Sequence, residues 1–202
     1  MNIAIVYQYF QGPGEPGHSL VYELAHALNH RGHKVSVIAG ETGYMKRTTT
    51  TRQTWHRRLF RKECDDGVSV LRTYTYPELH RSYFSRLLSF ASFSISSAAA
   101  LLFMKRVDVL LASSPPIFPM FAAGWVCRLR KIPFVLEVRD LWPSSAVQLE
   151  ILRSRLQIET MSQMERWLYD HAHRIIALTK GIRDDISSRG WQAEKIAFIP
   201  CG

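Results

Sequence analysis

Cysteine is scarce: three residues, at positions 64, 127 and 201, with no CxxC pair and no cluster. That spacing argues against a disulfide framework or a structural zinc site and points to a reducing compartment. Glycine and proline are equally sparing, 11 and 9 in 202 residues, and no segment recurs at a fixed period, so collagen-like, solenoid and propeller architectures have no support. Acidic charge is the third shortage: 17 Asp and Glu stand against 26 Lys and Arg, a formal charge of +9 that favours an anionic partner. The N-terminal MNIAIVYQYF carries no basic leader and reads as a strand, not a signal peptide. A long, strongly hydrophobic run is missing too. The one uncharged stretch of that length, residues 87–104 (LLSFASFSISSAAALLFM), is diluted by five Ser and four Ala and reads as a buried or surface-lying helix in preference to a membrane span.

What is present is a 47% hydrophobic chain arranged as short Ile- and Val-rich runs separated by segments of helical period. Strands are expected at residues 3–7, 34–39, 68–74, 107–112, 133–138, 174–178 and 195–199. Between them Leu20, Val21, Leu24, Ala25 and Leu28 recur at three- and four-residue spacing, and further helices are expected over 83–105, 115–130, 154–171 and 180–189. Such alternation predicts an α/β fold, a doubly wound and mostly parallel Rossmann-like sheet buried on both faces. Ligands bind beyond the carboxyl ends of such strands, which singles out the loops at 8–18, 113–116, 139–145 and 179–181.

Gly12, Gly14 and Gly17 spell G-x-G-x-x-G after the first strand, with Glu41 past the second where a ribose-binding acid would stand. Read as a dinucleotide fingerprint, this suggests an NAD(P)-binding oxidoreductase. The spacers Pro13, Glu15 and Pro16 suit a looser phosphate-contacting loop or a structural turn equally well. After PFVLEV come Arg139, Asp140, Leu141, Trp142 and Pro143, which bring a guanidinium, a carboxylate and an indole to the ligand-facing end. Ser113 and Ser114 precede Pro115 and Pro116 at the expected start of a helix, placed to hold an anion or a sugar, or simply to cap. Asp108 and Glu137 read by position as sheet residues without chemistry, and the eight His offer no metal-ligand spacing. A basic insertion spans residues 41–66. Within it Lys46, Arg47, Arg52, Arg57, Arg58, Arg61 and Lys62 surround Trp55, Leu59 and Phe60 without an acid among residues 46–62. Taken with the apolar helix at 83–105, this favours an anionic membrane surface over nucleic acid, and a non-enzymatic membrane-binding module remains an alternative.

The order of LAHALNHRGHKVSVI, SSPP, PFVLEVRDLWP and MERWLYDHAHRIIALTKGIRDDISSRGWQAEKIAFIPCG resembles the N-terminal half of the family 4 retaining glycosyltransferases, in the bacterial surface-polysaccharide subgroup that carries D-L-W-P. The terminal IPCG is similar to that family's I-P-N-G hinge, with Cys201 at the Asn position. The resemblance implies one acceptor-side domain of a two-domain GT-B architecture, residues 1–202, with the C-terminal donor domain lying beyond it and the 202-residue chain inactive alone. It implies a nucleotide-sugar co-substrate (UDP-, GDP- or dTDP-sugar), no metal and no tightly bound cofactor. The acceptor would be lipid-linked or a polysaccharide, met at the cytoplasmic face of the plasma membrane. By the same resemblance Gly14, Gly17 and His18 approach the donor phosphates, Arg139 and Asp140 are catalytic, and Ser113, Ser114 and Trp142 meet the acceptor. A departing diphosphate and an oxocarbenium-like sugar call for a cation and a carboxylate respectively, which suits Arg139 and Asp140.

Overall fold

The computed structural model describes residues 1–13, 15, 19–41, 59–77, 82–148, 152 and 154–200. The chain runs β1 (Asn2–Tyr7), α1 (Leu20–His30), β2 (Lys34–Gly40), β3 (Phe60–Asp65), β4 (Val68–Thr73), α2 (Tyr83–Phe103), β5 (Val109–Ser114) and α3 (Ile117–Arg130). It continues through β6 (Phe134–Val138), α4 (Ser144–Gln148), α5 (Arg155–His171), β7 (Arg174–Ala177), α6 (Lys180–Ser188), a 3₁₀ turn (Ala193–Lys195) and β8 (Ile196–Phe198). The eight strands among the described residues join one sheet in the order β3-β4-β2-β1-β5-β6-β7-β8. Every pairing is parallel except β3 with β4, which gives the doubly wound Rossmann-like sheet that the alternation predicts. From β1 the chain first builds outward through β2 and β4, then returns to lay β5 on the other side. The switch point, and the crevice it opens at the carboxyl ends, lies between β1 and β5.

Strand alternation sorts the core into two layers. Ile3, Ile5, Val35, Val37 and Val70 face α1 and its Val21 and Ala25, while Ala4, Val6, Ile38, Ala112, Leu136 and Ile175 face the layer of α2, α3, α5 and α6. Helix starts are set by side chains: Ser82 Oγ accepts from the Ser85 N–H at 3.1 Å and Thr179 Oγ1 from the Ile182 N–H at 3.1 Å. In the second layer the Glu165 carboxylate is buried, yet both oxygens are engaged. Arg189 grips it bidentately at 2.5 and 3.1 Å, and the Tyr169 hydroxyl donates to it at 2.9 Å.

Three expectations change. The insertion expected over 41–66 ends in a strand: β3 pairs antiparallel with β4 through Asp66 and Gly67, which adopt φ of 41° and 81°, the two-residue hairpin geometry that Asp-Gly favours. Its residues are mostly exposed and charged, as suits an edge strand, so no apolar alternation marks it. Second, Ser113 and Ser114 are the last two residues of β5, not the opening of a helix, and α3 begins at Ile117 with Pro116 as N-cap. Pro115 and Pro116 have no N–H to donate and lie between the end of β5 and the first residue of α3. Third, a short α4 follows the D-L-W-P segment. Gly14, Gly17, His18, Cys201 and residues 46–58 lie outside the described residues.

Candidate functional site

In a parallel sheet, register partners share a face and alternate residues return to it. Ile5 pairs with Leu111, Leu111 with Val135, and Ser113 with Glu137. Tyr7, Ser113 and Glu137 therefore stand on the α1 face at the carboxyl ends of β1, β5 and β6, around the switch point. Glu137 is a sheet residue, as its position in the sequence leads one to expect. The side chain is 8% exposed, and its Oε2 has no hydrogen-bond partner among the described residues. Ser113 is fully buried and its Oγ likewise has no partner among the described residues. Burying a polar group without a partner costs about 1–3 kcal/mol, so two such groups side by side at the ligand-facing edge need an explanation.

Arg139 joins this cluster from the loop after β6. Its Nη1 donates to the Tyr7 hydroxyl at 3.3 Å, and its guanidinium lies 5.8 Å from the Tyr7 ring centre. Burial pushes the Tyr7 phenol above its ordinary range, the Arg139 charge pulls against that, and the Glu137 carboxylate adds to the rise. The loop after β1 contributes more buried acceptors: Gln8 and Gln11 each bury an amide oxygen that has no partner among the described residues. Gln8 Nε2 is meanwhile fixed on Ser89 Oγ at 3.2 Å. Gly40 packs against this loop so closely that a Cβ there would lie 2.7 Å from the Gln8 carbonyl oxygen, so only glycine lets β2 end beside it.

Asp140 goes to the other side of the sheet. Its Oδ1 accepts a short hydrogen bond from Ser145 Oγ, which also donates to the Leu141 carbonyl at 2.9 Å, so the carboxylate braces the turn into α4. With Ser114, Trp142 and Tyr169 it borders a cavity of about 20 Å³, which has room for a water but not for a sugar ring. The neighbouring Arg139 and Asp140 thus separate, and the expected acceptor residues divide as well, Ser113 with Arg139 and Ser114 with Trp142 and Asp140. Sequence reasoning missed Tyr7, Gln8 and Glu137. Glu137 had a signal, a carboxylate placed inside the apolar run PFVLEV, where burial demands a reason.

The dinucleotide reading gains nothing from this geometry. Glu41 faces Arg61 at 3.8 Å, and the Gly12 N–H donates to the Glu15 carboxylate at 3.3 Å, an acid where a pyrophosphate would need donors.

Solved structures share this architecture. The catalytic domain of starch synthase IV from Arabidopsis thaliana, bound to ADP and acarbose, superposes with a TM-score of 0.59 at 12% identity, covering 100% of this chain and 51% of that one. Alr3699/HepE from Anabaena, in complex with UDP and glucose, gives 0.54 at 15% identity, over 100% of this chain and 44% of that one. A UDP-GlcNAc 2-epimerase from Methanocaldococcus jannaschii gives 0.54 at 12% identity, over 98% and 45%. The chain therefore spans about half the length of these structures, and at such identities the likeness is one of fold. No curated protein sequence matches it. The family model for the glycosyl transferase 4-like domain matches residues 18–202, nearly the whole chain, and the chain belongs to that family.

Proposed function

We propose that this domain is the acceptor-binding half of a retaining, nucleotide-sugar-dependent glycosyltransferase of GT-B type, completed by a second domain that holds the donor. The observation that carries the reading is the set of polar groups at the switch point, the buried Ser113 and Glu137 with the half-buried Tyr7 and Arg139, in a chain of this family. Acceptors such as Glu137 Oε2, without a partner among the described residues, suit a polyhydroxylated ligand, because each sugar hydroxyl brings a donor. Arg139, oriented by the Tyr7 hydroxyl, supplies positive charge for a departing diphosphate or an acceptor phosphate. Asp140 stands near the transferring sugar only if the turn it braces opens toward the cleft, so its first role here is to shape the D-L-W-P loop.

The co-substrate in this reading is a UDP-, GDP- or dTDP-sugar, and attack on the same face from which the diphosphate leaves retains the anomeric configuration. The acceptor is a lipid-linked or polysaccharide glycan of the cell surface, reached by an enzyme peripheral to the cytoplasmic face of the plasma membrane. The test is release of nucleoside diphosphate from UDP-, GDP- and dTDP-glucose by the full-length protein and by the 202-residue chain. Turnover of one donor by the longer protein and none by the shorter is expected. Turnover at an ordinary rate by the 202-residue chain, or tight NADH binding with no response to any nucleotide sugar, would overturn the reading.

A further inference from the structure

Helix α2 is inside out. An ordinary surface helix turns its apolar stripe to the core and its polar face to water. In α2 the serines point inward: Ser89 and Ser97 are fully buried, and Ser85 and Ser94 nearly so. Ser89 and the half-buried Ser92 and Ser96 bind the loops that follow β1 and β4. Ser89 Oγ accepts from Gln8 Nε2, Ser92 Oγ accepts from the Tyr76 N–H at 2.8 Å, and Ser96 Oγ donates to the Tyr74 carbonyl at 2.7 Å. The outward side carries Phe84, Leu87, Leu88, Ile95, Leu102 and Phe103, all exposed, with Ile95 at 73%. At 100° per residue, positions 84, 88, 91, 95 and 102 fall on a single stripe, filled here by Phe, Leu, Ala, Ile and Leu.

The neighbouring α3 extends the surface. It packs along α2, and its inward face (Ile117, Met120, Ala123, Cys127) is as apolar as its outward Trp125 and Leu129, which are exposed. Charge is as one-sided as hydrophobicity. From residue 82 to residue 136 there is one acid, Asp108, and its carboxylate is bound by the Asn2 backbone N–H and side-chain amide. The same stretch holds Arg86, Lys105, Arg106, Arg128, Arg130 and Lys131, grouped at the ends of the two helices. Arg130 bridges them by donating to the Leu101 carbonyl at 2.5 Å.

We infer that α2 and α3 form a docking face for an anionic lipid bilayer, with the α2 stripe, Trp125 and Leu129 in the boundary between headgroups and acyl chains and the flanking cations on lipid phosphates. Apolar burial and attraction to anionic headgroups are the two components that hold an interfacial helix. Helix α2 is long and apolar enough to cross a membrane, but its serines and its buried Phe93 and Leu101 are committed to the domain, so it lies on the bilayer and does not span it. Its N-terminal Phe84, Leu87 and Leu88 belong to the same edge of the sheet as the switch point, which Ser89 touches through Gln8. This inference rests on the proposed transferase with its lipid-linked acceptor, since docking on this face brings that edge to the membrane surface.

The experiment is cosedimentation of the full-length protein with phosphatidylcholine vesicles, with and without about a third phosphatidylglycerol, at about 0.1 M and 0.5 M salt. A variant carrying Leu88→Gln, Ile95→Gln and Leu102→Gln, all at exposed sites, is compared with Arg128→Ser/Lys131→Ser. Wild type is expected to bind the anionic vesicles at least about tenfold more tightly than the neutral ones and to be released at alkaline pH in carbonate. The triple variant should lose about tenfold or more at either salt level, and the double variant should lose mainly at low salt. Circular dichroism and, without vesicles, affinity for whichever of UDP, GDP and dTDP the wild type binds should be unchanged in both. Binding of UDP, GDP or dTDP without vesicle binding would overturn the docking face while leaving the transferase reading intact; vesicle binding with none of the three nucleotides bound would do the reverse. Undiminished vesicle binding by the triple variant, resistance to carbonate, or a wild-type dimer that the triple variant converts to monomer would each overturn the inference.

Discussion

Two buried carboxylates lie in one domain and are treated in opposite ways. Glu165, 3% exposed, is gripped by both nitrogens of Arg189 and by Tyr169, whose phenol is pushed far above its ordinary range by burial and by the carboxylate itself. Glu137, 8% exposed, leaves Oε2 without a partner among the described residues, beside a serine in the same condition. Glu165 sits on a helix and fastens α5 to the end of α6; Glu137 sits at the carboxyl end of a central strand, where the fold gathers ligands. A fully paired buried carboxylate holds elements together. In the proposed function, one left incompletely paired among the described residues at this edge is matched to groups that a ligand brings.

The largest effect should come from breaking the paired site. Arg189→Ala strands a buried carboxylate, and urea unfolding should show a loss of about 3–5 kcal/mol with little change in nucleotide affinity. At the switch point, on the proposed function, the loss should fall on chemistry: Glu137→Gln in the full-length protein should lower transfer roughly 100-fold, about 2.7 kcal/mol of barrier. Tyr7→Phe removes the hydroxyl that orients Arg139 and should cost about 1 kcal/mol in kcat/KM, roughly fivefold, with the fold intact.

Cysteine provides the mildest version of the same contrast. Burial pushes the Cys127 thiol up to about 12, while Cys64 is exposed. At about pH 8 iodoacetamide should label Cys64 and spare Cys127 until the protein unfolds, as read by peptide mass spectrometry. Because the folded state holds the Cys127 proton more tightly than the unfolded chain, its contribution to stability is complete below the ordinary thiol range near 9. It declines as pH rises from there toward about 12.

Among the described residues, seven of the eight strands and the five long helices were legible because parallel strands covered on both faces must be Ile- and Val-rich runs, and the helices between them carry a 3.6-residue period. The edge strand β3 escaped because FRKECD buries little and therefore has no pattern, although the Asp66–Gly67 turn was in plain view. The site was half legible. Arg139 was found from its place after a strand, and Ser113 was found but assigned to a helix start, because SSPP looks like a cap when β5 could equally continue through it. Tyr7 was hidden by register, since only the pairing of β1 with β5 and of β5 with β6 brings it to the face of Ser113 and Glu137, and Gln8 was hidden because its partner Ser89 lies on a distant helix. In α2 the sequence displays length and apolarity, but which face the serines take depends on the sheet beneath.

The most direct test of the contrast is urea unfolding of Glu165→Gln and Glu137→Gln side by side. The account predicts that Glu165→Gln loses about 2 kcal/mol or more, as its charge-assisted bonds to Arg189 weaken, while Glu137→Gln stays within about 1 kcal/mol of wild type or gains stability. Equal losses in the two variants would make Glu137 a structural residue like Glu165 and would contradict the assignment of the switch-point cluster to ligand binding.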